Sequence, residues 1–179
     1  MLKKTLLGLV AIVVLLAIVI ALQSPEYRVT RTTTIAAPAP VVFAQVNDFH
    51  NWQAWSPWAK LDPAMKQSFD GASAGTGAVY GWVGNAQVGE GRMTIIDSRP
   101  HDVIRIRLEF FKPFPSTNAA EFTFKPEGDR TAVTWSMVGE KNFVTKGIFM
   151  FVDVDKELGK YFEQGLAQMK SVAEAQSRS

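Results

Sequence analysis

Apolar and polar residues change rhythm three times along this 179-residue chain. Leu6 to Leu22 is an unbroken apolar run of 17 residues without a charge. Between Gly77 and Val138, apolar residues alternate with polar ones at a period of two, the pattern of strands with one buried face. From Lys146 to about Ala175 the step lengthens to three and four. Phe151, Val154, Leu158, Phe162, Leu166, Met169 and Val172 then share one helical face, with Lys156, Lys160, Glu163, Lys170 and Glu174 largely off it. A helix of about 25 residues extends roughly 37 Å at 1.5 Å per residue, which is long for a domain of this size. A single long helix with one apolar face, following a run of antiparallel strands, needs a curved sheet to lie in.

The elements between follow from the punctuation. Pro25 ends the apolar helix, and the Thr- and Val-rich run Tyr27 to Ile35 predicts a first strand. Ala36 to Pro40 turns into a short helix over Val41–Val46, and a second short helix covers His50 to Trp55 before Ser56-Pro57 breaks it. Lys60 to Gly77 reads as loop with a weak strand near Phe69. Strands follow at Ala78–Val83, Gly89–Ile96, Val103–Phe110, Asn118–Lys125 and Thr131–Val138. Their turns are Gly84-Asn85, Asp97 to Pro100, the proline-flanked loop Lys112 to Pro115, and Pro126-Glu127-Gly128-Asp129. Ile104, Ile106, Leu108 and Phe110 share one face, as do Ala120, Phe122 and Phe124, and Val133, Trp135 and Met137. Arg105, Arg107 and Glu109 take the opposite face, as expected of an antiparallel sheet covered on one side.

The N-terminal run changes how charge is read. Seventeen residues lie at the short end of the membrane-spanning range. Lys3 and Lys4 precede the run, and no small-x-small cleavage site follows it, so an uncleaved signal anchor over residues 1–25 is expected in preference to a cleaved signal peptide. The positive-inside tendency then places the N-terminus in the cytoplasm and residues 26–179 on the outer, periplasmic side. Two of the 19 Lys and Arg lie in the anchor and none of the 17 Asp and Glu, so the remainder is net neutral. That balance lacks the basic surplus of a nucleic-acid binder. The absence of cysteine removes disulfides, thiol nucleophiles and thiolate metal sites together.

The order of strand, two short helices, six-stranded meander and long C-terminal helix is that of the helix-grip fold, an α+β architecture. Residues 27–175 resemble the SRPBCC superfamily, the polyketide cyclase/dehydrase and lipid-transport group, related to START lipid-transfer domains and to the birch-pollen-allergen fold. The segments that carry the resemblance are Ile35-Ala36-Ala37-Pro38, the run from Trp52 to Trp58, Gly84-Asn85, the run from Gly89 to Ile95, Thr134 to Met137, and Gly165 to Lys170. The resemblance implies a cavity between sheet and helix. It does not choose among carriers, cyclases and co-chaperone domains, all of which use this fold.

Candidate ligand-lining residues are Trp55, Trp58, Tyr80, Trp82, Met93, Leu108, Phe122, Trp135, Met137, Phe151 and Phe162. Wide aromatic faces with one polar atom suit a pocket wall, and methionines adapt to varied apolar shapes. Each of these residues also suits plain core packing, which is the reading preferred for Trp52 and for any one methionine taken alone. Gly159 and Gly165 each cost about 1 kcal/mol in a helix. They imply close approach of helix to sheet, or room for a ligand. His50 and His101 are the acid–base candidates, with Glu90, Glu109 and Glu140 needing burial to join them. No set of residues has metal-ligand spacing, and Gly71, Gly75 and Gly77 lack the Lys-Ser/Thr of a phosphate loop. No cofactor and no nucleic-acid partner are expected. The preferred reading is a membrane-tethered binding domain for a lipid or other hydrophobic small molecule. The alternatives are a cyclase- or dehydrase-type enzyme using the same cavity, and a co-chaperone-like interaction domain with a filled core and an exposed apolar patch.

Overall fold

A computed structural model describes residues 2–178. Helix α1 (Leu2–Leu22) leads into strand β1 (Glu26–Ile35). Helix α2 (Ala39–Asn47), a 3₁₀ turn at Phe49–Asn51, the one-turn helix α3 (Trp52–Trp55) and a second 3₁₀ turn at Pro57–Lys60 follow. The meander comprises β2 (Lys66–Gly71), β3 (Ala78–Val83), β4 (Glu90–Arg99), β5 (Val103–Lys112), β6 (Ser116–Glu127) and β7 (Arg130–Glu140). Helices α4 (Phe143–Phe149) and α5 (Val154–Gln176) close the chain. All seven strands form one antiparallel sheet in the order β1-β7-β6-β5-β4-β3-β2. The first strand therefore closes against the last, and the α2–α3 segment and α5 cover the same apolar face. This is the α+β helix-grip arrangement, a curved sheet holding one long helix.

Register accounts for the two-faced sheet. Phe122 pairs with Trp135 and Ala120 with Met137, so the inward residues of β6 and β7 stand side by side. On the outer face, Arg105 bonds Asp97 and Glu121 across three strands at 2.7 and 2.8 Å. Such exposed pairs contribute little stability. The inner face meets α5 through stacked rings. Trp135 and Phe162 lie 4.0 Å apart and 5° from parallel, and Phe122 stacks behind Trp135 at 4.9 Å. Gly165 permits this approach, because a Cβ there would stand 3.0 Å from the Trp135 ring and 3.1 Å from Pro57.

A second attachment runs along β1. The Arg31 guanidinium donates to Glu163 at 2.7 Å and to Asp155 at 3.0 Å, and it also reaches the Asp155 backbone carbonyl at 2.9 Å. It passes over Gly159, where any Cβ would collide with it. Both helical glycines thus serve close approach, one to a ring and one to a guanidinium. Further along, the Ala36 N–H donates to Glu174 at 2.8 Å, and the Lys170 ammonium donates to the Thr34 carbonyl at 2.9 Å.

The C-terminal helix expected from Lys146 is in fact two helices. Asn142 caps α4 by accepting from the Thr145 N–H, and Asp153 caps α5 by accepting from the Lys156 N–H. The chain leaves the helix between them, so Phe151 is off the apolar face of α5 and is 85% exposed. Apolar periodicity ran through Phe151 and masked the Asp153 cap. Strand β4 continues past the expected turn at Asp97 to Arg99, because a register shift between Ile95 and Asp97 lets pairing resume. A bulge interrupts alternation without ending a strand. The Gly84-Asn85 turn is a longer loop to Gly89, tied by the Gly84 N–H to the Gly89 carbonyl and by Asp62 accepting from the Asn85 N–H.

Two outcomes are expected. Phe162→Ala removes the ring that α5 stacks on Trp135 and costs about 3–5 kcal/mol in chemical denaturation; a loss near zero would show that α5 docks by other means. Arg31 holds the Asp155 carboxyl below its usual range, and the Ala36 N–H does the same for Glu174. A carboxylate depressed in the folded state stabilises above its unfolded value, and that stability is lost as pH falls through the folded one. Stability therefore declines with acidification below the ordinary carboxylate range. Arg31→Met should lower stability at neutral pH and flatten that acid decline, and an unchanged acid profile would contradict the assignment.

Candidate functional site

Between the sheet and α5 the rings do not meet everywhere, and a cavity of about 280 Å³ remains. That is close to the lower end for small-molecule sites. Its floor is a register row: Tyr80 pairs with Met93, and Met93 with Leu108. Ala120 and Met137 extend the floor across β6 and β7. The next row toward the β3–β4 loop is Trp82, Gly91 and Phe110. Here Gly91 is required, because the Trp82 ring lies where a Cβ would sit. Phe49, Trp52 and Trp58 cover one flank, and Leu158 and Phe162 of α5 cover the other.

Trp52 and Trp82 present apolar faces to the cavity because their polar atoms are already engaged, as is that of Trp55 in the core behind. Trp52 Nε1 donates to the Val46 carbonyl at 3.1 Å, Trp55 Nε1 to Gln45 at 2.9 Å, and Trp82 Nε1 to Val88 at 3.0 Å. A satisfied indole N–H avoids the cost of a bare buried donor. Two phenols are the acidic groups in the lining. Tyr27 donates to Asn118 Oδ1 at 3.2 Å, and Gly139 leaves room for that pair. Burial raises the Tyr27 pKa, and burial pushes that of Tyr80 up to about 12. Both stay neutral at physiological pH. Gln53, Ser56 and Gln87 complete the polar set; no Asp, Glu, His, Lys or Arg lines the cavity.

Of the sequence candidates, Trp58, Tyr80, Trp82, Met93, Leu108, Trp135, Met137 and Phe162 come together around this cavity. Trp55 and Phe122 do not. Both are fully buried behind Trp135, at 5.7 and 4.9 Å between ring centroids, and belong to the core. Phe151 lies in the exposed α4–α5 link, away from the cavity. Trp52, read as core filler, is buried and also forms part of the wall. Tyr27, Phe49, Phe110 and Leu158 were not singled out as lining. Two had a signal: Phe110 shares the face of Leu108, and Leu158 lies one turn before Phe162.

The acid–base candidates stand elsewhere. His50 is exposed, stacks on Phe69 at 4.2 Å and bonds Asp48 at 2.7 Å. His101 occupies a turn with φ of 60° and meets Phe43 edge-on. Glu90 pairs with Lys112 at 2.7 Å, Glu109 with Arg92 at 2.9 Å on the outer face, and Glu140 is exposed at the end of β7. Among the described residues, no group of three or more His, Asp and Glu side chains converges as a metal site would require.

Comparison with known proteins agrees with this fold. No curated protein matches the chain in sequence. Among solved structures, a protein from Nitrosospira multiformis superposes with a TM-score of 0.60 at 20% identity, covering 86% of this chain and 100% of that one. The major latex-like protein 151 of Panax ginseng gives 0.60 at 12% identity, with 84% and 99% covered. The Aha1 dimer of Colwellia psychrerythraea gives 0.59 at 10% identity, with 83% and 96% covered. At such identities these likenesses establish the fold alone. The sequence pattern of one family, described as polyketide cyclase/dehydrase and lipid transport, matches residues 26–174, and the chain belongs to that family.

Proposed function

We propose that the chain is a membrane-tethered binding protein that holds a lipid or other hydrophobic small molecule in the cavity between sheet and α5. The observation that carries this is the lining: aromatic, methionine and leucine side chains, with no group ionised at neutral pH. Burying an apolar ligand there releases ordered water at no electrostatic cost. Trp58, Tyr80, Trp82, Met93, Leu108, Trp135, Met137 and Phe162 are assigned to that ligand. Residues 1–25 are assigned as the anchor and 26–179 as the binding domain. The support is a helix over Lys3–Leu22 of mean hydropathy 3.2 with none of its apolar window buried. Lys3 and Lys4 favour a cytoplasmic N-terminus, with the binding domain on the outer side.

A cyclase or dehydrase acting in the same cavity needs an acid or a base beside its substrate. His50, Glu90, Glu109 and Glu140 all lie outside the lining, so the binding reading is the better supported.

The expected test is titration of the protein with a fluorescent polyene fatty acid. Leu108→Arg buries an unpaired charge in the cavity floor and should weaken binding by about tenfold or more, equal to about 1.4 kcal/mol. Circular dichroism confirms that the variant is folded, and unchanged affinity in a folded variant would remove the cavity assignment. With an uncharged ligand, the parent's affinity should stay level from about pH 5 to 9, because neither lining phenol titrates there. A bell-shaped dependence would instead point to a hidden acid and base, as the enzyme reading requires.

A further inference from the structure

Exposed apolar side chains on the sheet and its helices are not scattered. Beyond α1, every exposed large hydrophobic except Phe69 and Ile96 lies at one end of the sheet, where β1 begins and β3, β5 and β7 finish. Isolated exposed hydrophobics are ordinary, whereas a contiguous set marks a binding surface. Helix α4 has no buried residue. Its Phe143, Val144 and Ile148 are all more than half exposed, and the link to α5 adds Phe151 at 85%. Phe114, at the tip of the β5–β6 loop, is 80% exposed at the same end.

The anchor reaches this same end. β1 starts four residues after α1 stops, and α4 packs against the last turn of α1. Ile20 Cδ1 would lie 3.6 Å from a Cβ on Gly147, and the Lys146 ammonium donates to the Ala21 carbonyl at 3.2 Å. Twenty helical residues, Lys3–Leu22, match the roughly 30 Å of a bilayer's hydrocarbon. Ile20 and Ala21 then sit at its boundary, and α4 sits beside them. Lys141 approaches the Phe149 ring at 5.9 Å, so cations flank the apolar residues. Aromatic side chains with Lys close by suit the headgroup region.

The cavity lining reaches the same end. Tyr27, the second residue of β1, lines it and meets Phe149 of α4 edge-on at 5.4 Å. Phe110, Gln87 and Leu158, near the ends of their own segments on this side, line it too. We infer that α4, the α4–α5 link and Phe114 form an apolar collar. The collar inserts into the surface of the bilayer that carries α1 and seats the cavity mouth on lipid. A hydrophobic ligand then passes between membrane and cavity without crossing water. This rests on α1 spanning a bilayer, as proposed above.

The chain has no cysteine, so single nitroxide labels can be introduced without background. The full chain is reconstituted in phosphatidylethanolamine–phosphatidylglycerol vesicles with one label each at Val13→Cys, Phe114→Cys, Val144→Cys, Phe151→Cys and Glu127→Cys. Collision with oxygen, which concentrates in lipid, is compared with collision with a water-soluble nickel chelate. Labels at 114, 144 and 151 should show an oxygen-to-nickel ratio several-fold above that at 127, which ends β6 at the far end of the sheet. Ratios equal to that at 127, with the label at 13 in lipid, would overturn the collar and leave the anchor standing. A water-exposed label at 13 would overturn both. Labels at 144 and 151 shielded from both reagents and broadened by a second spin would show that a second copy covers the face, which also overturns the inference.

Discussion

Three rings hold this structure together. Phe122, Trp135 and Phe162 stack from β6 through β7 onto α5, and the 4.0 Å contact of the last pair is where helix and sheet become one body. Each neighbouring feature accommodates that contact. Gly165 lets the helix close on Trp135, and Trp52, Trp55 and Trp58 meet the same ring edge-on. The Arg31 clamp over Gly159 fixes the first turns of α5 along β1. The stack is also a wall. It fills one side of the space under the helix and leaves the other to methionine, leucine and tyrosine.

A cavity in a protein interior forfeits packing, since interiors are otherwise close-packed. Here the loss is confined to one place, and its surroundings are chemically quiet. The Trp52 and Trp82 N–H groups are turned onto backbone carbonyls, and the Tyr27 hydroxyl onto Asn118. The cross-strand charged pairs of β4, β5 and β6 stay on the outer face, and the Arg31 pairs with α5 lie outside the cavity lining. The result suits retention of an apolar molecule better than bond-making, and it fits a family whose description spans both lipid transport and cyclase chemistry.

Much of this was legible in the residues. Alternation along β5, β6 and β7 assigned the inner face, and the step of three and four along α5 assigned its partner. What alternation does not carry is depth. Phe122 and Met137 both point inward, yet Phe122 lies under the Trp135 stack while Met137 reaches the cavity. That distinction is set by where the α2–α3 segment comes down on the sheet, which is a tertiary choice. Phe151 was misplaced because hydrophobicity at helical spacing outweighed a single capping aspartate, although the cap ends the register. The bulge at Ile96 hid the last residues of β4 for a similar reason: a two-residue period fails locally while pairing continues.

The exposed end of the sheet, the apolar helix α1 beside it and the cavity above it serve the proposed function only if the cavity is occupied. The most direct measurement takes the chain from Glu26 onward, which leaves out α1, whose apolar window has no buried residue. Purified without detergent and extracted with organic solvent, it is analysed by mass spectrometry for what comes off. The account predicts a hydrophobic molecule at close to one per chain. A folded protein that releases nothing, and whose cavity also takes up no added lipid, would contradict it.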